Sequence, residues 1–213
     1  MSKISYKELA KQLKVCKIAL NYDNIGTTPN FCVYHYHEWD HGYNSWDGSY
    51  GQYVFYEGPR RQFYADMREM WSFLMDYFSI SGIEDVIVAP CYRYHQFDER
   101  YYHVKGMSGV DIFEEIRKFL KRNGIRKGER SGIRVPIREN INVIEMIIEG
   151  AFRGVSNFCL FSFERQVLIE PTHHLDLIFW TQEFDKEKKV VNSLLPKHPN
   201  LKYFDADTQA NLM

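Results

Sequence analysis

The densest group of residues able to perform metal or acid–base chemistry is a short run of histidines and acids at 35–41. His35 and His37 are separated by one residue, and the pair Asp40 and His41 follows shortly after. On a β-strand, residues i and i+2 point to the same face, so His35 and His37 could bind one metal ion together. The spacing therefore indicates a candidate metal site.

This run resembles the His-x-His-x-Asp-His motif of the metallo-β-lactamase superfamily, a resemblance that implies a metal-dependent hydrolase using His35, His37 and His41. One additional residue separates His37 from the Asp40–His41 pair, which moves both residues out of the motif's register. The superfamily's further metal histidines have no counterparts at matching positions. The competing interpretation is an aromatic strand whose histidines pack against tyrosines, and we favour it. We therefore predict no metal ligand and no cofactor.

A second group of acids and imidazoles lies at a turn between two predicted strands. It contains Glu170, His173, His174 and Asp176. Metal binding or acid–base work is conceivable for such a set. Acidic side chains also commonly accept hydrogen bonds from turn amides, and Asp176 interrupts an apolar strand. We favour the structural role and expect Asp176 to be buried.

Nucleophilic catalysis has little support in the sequence. The chain contains no Gly-x-Ser-x-Gly elbow, no Cys-x-x-Cys pair and no glycine-rich phosphate-binding loop. The four cysteines Cys16, Cys32, Cys91 and Cys159 stand far apart, which is typical of reduced thiols used as small core residues. We predict no catalytic residue.

The charge of the chain is strongly segregated although the formal net charge is only −1. Residues 18–59 contain five acids and no lysine or arginine, whereas residues 117–138 contain nine bases and one acid, Glu129. Nucleic-acid binding through phosphates is one hypothesis for the basic run. A solvated helix face already explains the first half of the run, and only Phe119 interleaves an aromatic ring with the bases, so we favour that interpretation and do not expect a nucleic-acid partner.

The segment from Trp39 to Tyr53 has the composition of a protein-recognition loop. It combines Trp and Tyr with Gly, Ser, Asn and acids, and it contains no lysine or arginine. Aromatic rings supply contact area at small entropic cost, and the acids favour a partner with a basic face. The alternative is a surface loop whose aromatic rings fold back on the sheet. The predicted partner-binding residues are Trp39, Asp40, Tyr43, Trp46, Asp47 and Tyr50.

Hydrophobic periodicity predicts the elements that position these groups. Five amphipathic or apolar stretches have helical spacing, at 5–16, 63–78, 111–120, 141–152 and 185–195. Six aromatic or β-branched stretches predict strands, at 31–37, 52–56, 86–89, 158–163, 167–170 and 175–181. This order predicts an α+β fold, with an antiparallel or mixed sheet and helices packed on it.

Length and composition fit one globular domain of 213 residues, with 45% hydrophobic and 26% charged residues. The polar, basic stretch 124–132 is a candidate sublobe boundary. The amino terminus is charged and the apolar stretches are short, so we expect a cytoplasmic protein without a membrane segment.

The whole chain resembles the bacterial immunity proteins of polymorphic-toxin and contact-dependent inhibition systems in its size, aromatic content, acidic surface and lack of a catalytic motif. The resemblance implies non-catalytic binding to a partner such as a toxin domain, whose active site would be covered. Two alternatives remain open: the hydrolase with His35, His37 and His41, and a nucleic-acid-binding protein using 117–138.

Overall fold

A computed structural model describes residues 1–18, 30–35, 60–90, 110–126, 128–172 and 175–205 of the chain. These ranges form eight strands and five α-helices. The strands are β1 (Ser2–Ile4), β2 (Asn30–His35), β3 (Asp85–Pro90), β4 (Gly132–Pro136), β5 (Phe158–Ser162), β6 (Val167–Thr172), β7 (Asp176–Thr181) and β8 (Leu201–Phe204). The helices are α1 (Tyr6–Val15), α2 (Arg60–Ser81), α3 (Val110–Arg122), α4 (Ile141–Phe152) and α5 (Phe184–Leu194).

All eight strands belong to one sheet in the order β1-β4-β3-β5-β6-β7-β2-β8. Every neighbouring pair is antiparallel. Strands β5, β6 and β7 form the predicted meander and are buried along their length, as their continuous apolar runs indicate. The predicted α+β class is confirmed, and the sheet is antiparallel rather than mixed.

The larger of two hydrophobic cores lies between one face of the sheet and the helices α2, α3, α4 and α5. Helix α3 shows why the sequence folds this way. Its apolar residues Ile112, Ile116, Phe119 and Leu120 lie on one helix face and are buried, while most of its charged residues are exposed. The spacing therefore fixes which face of α3 packs on the core.

Helix α1 covers part of the opposite face of the sheet and forms the smaller core. Ser5 caps the helix by accepting a hydrogen bond from the backbone N–H of Glu8, as the sequence predicts. Leu9 and Leu13 pack with residues of β3 and β5, among them Ile87. Both faces of the central strands are therefore covered by apolar side chains.

Three strands were not predicted from the sequence, namely β1, β4 and β8. Strands β1 and β8 are the outermost of the described strands and contain three and four residues, which is too short for a reliable alternating pattern. Strand β4 follows the basic stretch that the sequence marks as a boundary. It pairs with β1 and with β3.

Most of the remaining predicted elements are confirmed to within three residues at each end. Helix α4 has the predicted bounds, and α2 ends where Gly82 takes a positive φ of 67°. The predicted strand 52–56 lies outside the described residues. The boundary near 124–132 stays a prediction, although Ile125 packs in the larger core. None of the helices in the described ranges has the length and apolar composition needed to cross a membrane.

Candidate functional site

Polar side chains cluster on the sheet face opposite helices α2–α5, across strands β6, β7 and β2. The register aligns Glu170, Ile178 and Cys32 in one row across the three strands. The next row whose side chains point to the same face contains Thr172 and Asp176. Because side chains alternate between the two faces of a strand, these polar groups share the face on which Ile178 joins the smaller core. Cys159 of β5 belongs to the same smaller core. We refer to Cys32, Cys159, Glu170, Thr172 and Asp176 as the polar cluster.

Asp176 is buried, with only 6% of its surface exposed, which confirms the expectation from the sequence. Its carboxylate accepts hydrogen bonds from the Thr172 hydroxyl and from the Cys32 thiol. The turn residues 173 and 174, whose amides were the expected donors, lie outside the described residues. Asp176 therefore links three neighbouring strands through side chains.

Glu170 is the second buried carboxylate of the polar cluster, again with 6% of its surface exposed. Its Oε2 accepts a hydrogen bond of 3.1 Å from the indole Nε1 of Trp180 on β7. The thiol of Cys159 on β5 lies near Glu170 and is 3.4 Å from the carbonyl oxygen of Ala89. The cluster therefore extends from β2 to β5.

The thiols of the polar cluster are poor nucleophiles because a nucleophilic cysteine must be ionised. Burial, with the nearby Glu170 carboxylate, raises the pKa of Cys159. Burial, with the charge and hydrogen bond of Asp176, raises the pKa of Cys32 well above its usual value. Both thiols stay protonated at neutral pH. The carboxylates in turn accept hydrogen bonds from neutral donors, which is the arrangement of a structural polar network.

The two histidine-containing groups, 35–41 and 170–176, lie only partly within the described residues. Strand β2 ends at His35, and at the same end of the sheet β6 ends at Thr172 and β7 begins at Asp176. His37, His41, His173 and His174 lie outside the described residues. Within the described ranges, no group of three or more His, Cys, Asp or Glu side chains is arranged to hold a metal ion.

The predicted partner-binding residues Trp39, Asp40, Tyr43, Trp46, Asp47 and Tyr50 also lie outside the described residues. The elements on either side of segment 36–59 are described. Strand β2 precedes the segment and is paired along both edges, with β7 and with β8. Helix α2 follows the segment and packs in the larger core.

Strand β8 and helix α2 are connected by side chains. The side-chain nitrogen of Asn200, immediately before β8, donates a hydrogen bond of 2.9 Å to Oε2 of Glu69 on α2. His198 lies 3.3 Å from Asp76, also on α2, and its ring packs edge-on against Phe73. Both flanks of segment 36–59 are therefore attached to one connected framework.

The basic run 117–138 is divided between the exposed face of α3, the connection to β4 and β4 itself. Arg117 pairs with Glu114 at 2.6 Å, and Arg134 pairs with Asp85 at 3.2 Å. The first half of the run thus lies on a solvated helix face. Glu129, the one acid of the run, accepts hydrogen bonds from the Ser131 hydroxyl and the Arg126 amide and pairs with Lys3 of β1.

A buried network on the helix side of the sheet was not predicted. The Tyr77 hydroxyl donates a hydrogen bond of 2.6 Å to Oε2 of Glu187, whose Oε1 lies 2.7 Å from Arg165. Burial and the adjacent Glu187 carboxylate raise the pKa of Tyr77. The sequence signal was weak because Glu187 occurs in a charged stretch that is typical of an exposed helix. This network joins α2, α5 and the β5–β6 turn.

The chain matches no protein-family model, no curated protein and no solved structure.

Proposed function

We propose that this protein is a non-catalytic binding protein of the immunity type, which neutralises a partner such as a toxin domain by covering its active site. The observation that carries the proposal is the connected framework at both flanks of the acidic, aromatic segment 36–59. The structure fixes the two elements from which this segment departs and to which it returns.

The first flank is held by backbone pairing. Strand β2 lies between β7 and β8, so its last paired residues Tyr34 and His35 have partners on the neighbouring strands. On the face of β2 that points to the helices, the side chains of Phe31 and Val33 are buried in the larger core. A strand held on both edges and by its core face gives the segment a fixed starting point.

The second flank is held by helix α2 and its polar contacts. Phe63 and Met70 are buried, and Glu69 is joined to Asn200 beside β8. Because β8 pairs with β2, the two flanks belong to one network of contacts. Fixed flanks reduce the conformational entropy that a recognition segment loses on binding, as in antibody loops on their sandwich.

The charge of the segment determines the kind of partner. Five acids occur in 18–59 without a compensating base, and Asp40 and Asp47 stand beside Trp39 and Trp46. Complementary charge speeds association with a basic surface, and desolvated aromatic rings slow dissociation. Nucleases have basic faces because their substrate is a polyanion, so a nuclease toxin domain fits this chemistry.

The polar cluster supports a structural role for the groups that could otherwise perform catalysis. Glu170 and Asp176 are buried and engaged by neutral donors. Cys32 and Cys159 have raised pKa values. These four groups stabilise the sheet that carries β2, which is the role a binding scaffold requires.

The test begins with capture of the partner from the native host, using the full chain as bait. The captured protein is then purified and its own activity measured while this chain is titrated into it. Immunity-type binding predicts inhibition that is complete at one equivalent. Trp39→Ala and Trp46→Ala should each weaken binding by about 30-fold or more, mainly through faster dissociation.

Asp40→Asn and Asp47→Asn should slow association, and their effect should shrink as salt is raised. Matched controls are Phe163→Ala, an exposed aromatic residue of the β5–β6 turn, and Asp185→Asn, an exposed acid of α5. Both controls should bind as the unchanged chain does. Turnover of a substrate by this chain would contradict the proposal. The proposal would also be contradicted if all four segment variants bound the partner as the unchanged chain does.

A further inference from the structure

A second group of charged residues has the opposite sign to the acidic segment 36–59 and lies among the described residues. It comprises the exposed bases Lys118, Lys121 and Arg122 of α3, and Arg126 and Arg130 of the connection between α3 and β4. We call these five residues the basic surface. It shares no residue with segment 36–59, on which the proposed function rests.

The described residues of the connection after α3 make several contacts with the rest of the fold. Ile125 is buried in the larger core, and Gly124 and Gly128 take positive φ angles of 72° and 82°, which favour glycine. Lys3 of β1 donates a hydrogen bond of 2.7 Å to the carbonyl oxygen of Gly124. These contacts lie on either side of the bases Arg126 and Arg130.

Glu129 does not neutralise the outward bases of the connection because its carboxylate is used within it. The ammonium of Lys3, the Ser131 hydroxyl and the Arg126 amide all contact this carboxylate. These contacts lower the pKa of Glu129 to about 2, with the hydrogen bond from Lys3 as the largest cause. The single acid of the basic run thus holds the connection in place.

Helix-dipole stabilisation accounts for only part of the basic surface. Lys121 and Arg122 lie in the last turn of α3, where positive charge is favourable. Arg126 and Arg130 come after the helix has ended at Arg122, and the dipole effect is confined to the last turn. Among the described side chains, no carboxylate pairs with Lys118, Lys121, Arg122 or Arg126.

An aromatic ring adjoins the basic surface. The guanidinium carbon of Arg130 lies 6.0 Å from the ring centroid of Tyr6, the first residue of α1, and Tyr6 is 38% exposed. Surfaces that bind single-stranded nucleic acid combine bases that follow the phosphates with an aromatic ring on which a base stacks. Binding to a membrane surface is strengthened instead by several apolar side chains that insert beside the bases. Tyr6 is the one exposed large hydrophobic residue that the described structure places in contact with the basic surface.

We propose that the basic surface binds single-stranded nucleic acid without sequence preference, through phosphate contacts of its lysines and arginines and stacking of a base on Tyr6. Such binding releases counterions, so the affinity should fall steeply as salt is raised. A second site of this kind would let the protein engage a polyanion while segment 36–59 engages a protein partner.

The test uses the full chain and fluorescently labelled oligothymidylate and oligouridylate, with fluorescence anisotropy measured over a series of salt concentrations. Arg126→Glu and Arg130→Glu should each weaken binding by about ten-fold and lower the slope of log affinity against log salt by about 0.7 or more. Tyr6→Ala should weaken binding by about five-fold or more and leave the salt slope nearly unchanged.

The matched control is Lys189→Glu, which reverses the charge of an exposed residue on α5. It should bind the oligonucleotides as the unchanged chain does. Arg130→Lys, which keeps the charge, should keep most of the affinity and most of the slope of log affinity against log salt. Thermal unfolding of each variant separates loss of binding from loss of folding. The proposal is overturned if no oligonucleotide binds at low salt, if Lys189→Glu loses as much affinity as Arg126→Glu, or if vesicles containing phosphatidylserine bind and oligonucleotides do not.

Discussion

The indole Nε1 of Trp180 and Oε2 of Glu170 are 3.1 Å apart on neighbouring strands, buried within the sheet face that α1 partly covers. Trp180 lies opposite Leu168 in the register, so its partner Glu170 is the diagonal neighbour two residues along β6. Long side chains reach diagonal neighbours in an antiparallel pair. The pair thus explains why an acid can stand in the apolar strand β6.

Glu170→Ala is expected to lower the free energy of unfolding by about 1–3 kcal/mol, because the buried indole N–H loses its acceptor. Equilibrium urea unfolding measures the change. Glu164→Ala, an exposed acid in the adjacent turn, is the control and should change stability by less than about 0.5 kcal/mol. If Glu170→Ala and Glu164→Ala changed the free energy of unfolding equally, the hydrogen bond of Glu170 with Trp180 would make no measurable contribution to stability.

Asp176→Ala should also destabilise the protein by about 1–3 kcal/mol, because the Thr172 hydroxyl and the Cys32 thiol then lose a buried acceptor. Asp176→Asn should cost less, since the amide oxygen can still accept from Thr172. A double-mutant cycle with Thr172→Val measures their coupling by urea unfolding. Additive effects of Asp176→Ala and Thr172→Val would mean that the two side chains do not interact.

Much of the fold was predictable because its long elements have strong hydrophobic periods. Helix α4 and strands β5–β7 can be predicted from their hydrophobic periodicity and from the turn residues that bound them. Strands β1, β4 and β8 were missed because their pairing is decided by distant residues, such as β1 with β4, more than a hundred positions apart. The alternating pattern of so short a strand is not distinctive.

The candidate site was predictable only in part, for a related reason. Asp176 could be identified as buried because it interrupts an apolar strand. Its partner Cys32 could not, because the register between β2 and β7 brings together residues far apart in the sequence. The same holds for Lys3 and Glu129, whose contact arises only when β1 pairs with β4.

The ion pair of Lys3 and Glu129 should make stability depend on pH in the acid range. The folded-state pKa of Glu129 is lowered to about 2, so its contribution is present above the unfolded-state pKa of about 4.3 and is lost as pH falls toward about 2. The urea midpoint should therefore fall less steeply between these pH values in Glu129→Gln than in the unchanged chain. Glu164→Gln is the control and should follow the unchanged chain; a Glu129→Gln profile that does the same would contradict the assignment.

The buried thiols should react slowly with alkylating reagents in the folded protein. Burial raises the pKa of Cys16, and burial together with Glu170 raises that of Cys159. Each residue is only 1% exposed, so both the thiolate fraction and access are small. Peptide mapping after timed alkylation at mildly alkaline pH should find both residues unmodified in the native protein and modified in urea. Rapid native labelling of Cys159 would show that β5 opens readily.

Gly150 of α4 should be intolerant of a side chain although it lies in a helix. A Cβ atom there would stand 2.4 Å from Cδ1 of Ile116 on α3 and 2.8 Å from Oγ of Ser156, and both residues are buried. Alanine normally stabilises a helix interior by about 1 kcal/mol relative to glycine. At position 150 the added methyl group would crowd Ile116 of α3 and Ser156, so alanine should destabilise the protein instead. We expect Gly150→Ala to lower the free energy of unfolding by about 1–3 kcal/mol. Urea unfolding measures this, with Glu145→Ala on the exposed face of the same helix as the control. A gain in stability for Gly150→Ala would mean that the side chains of Ile116 and Ser156 move aside at little cost.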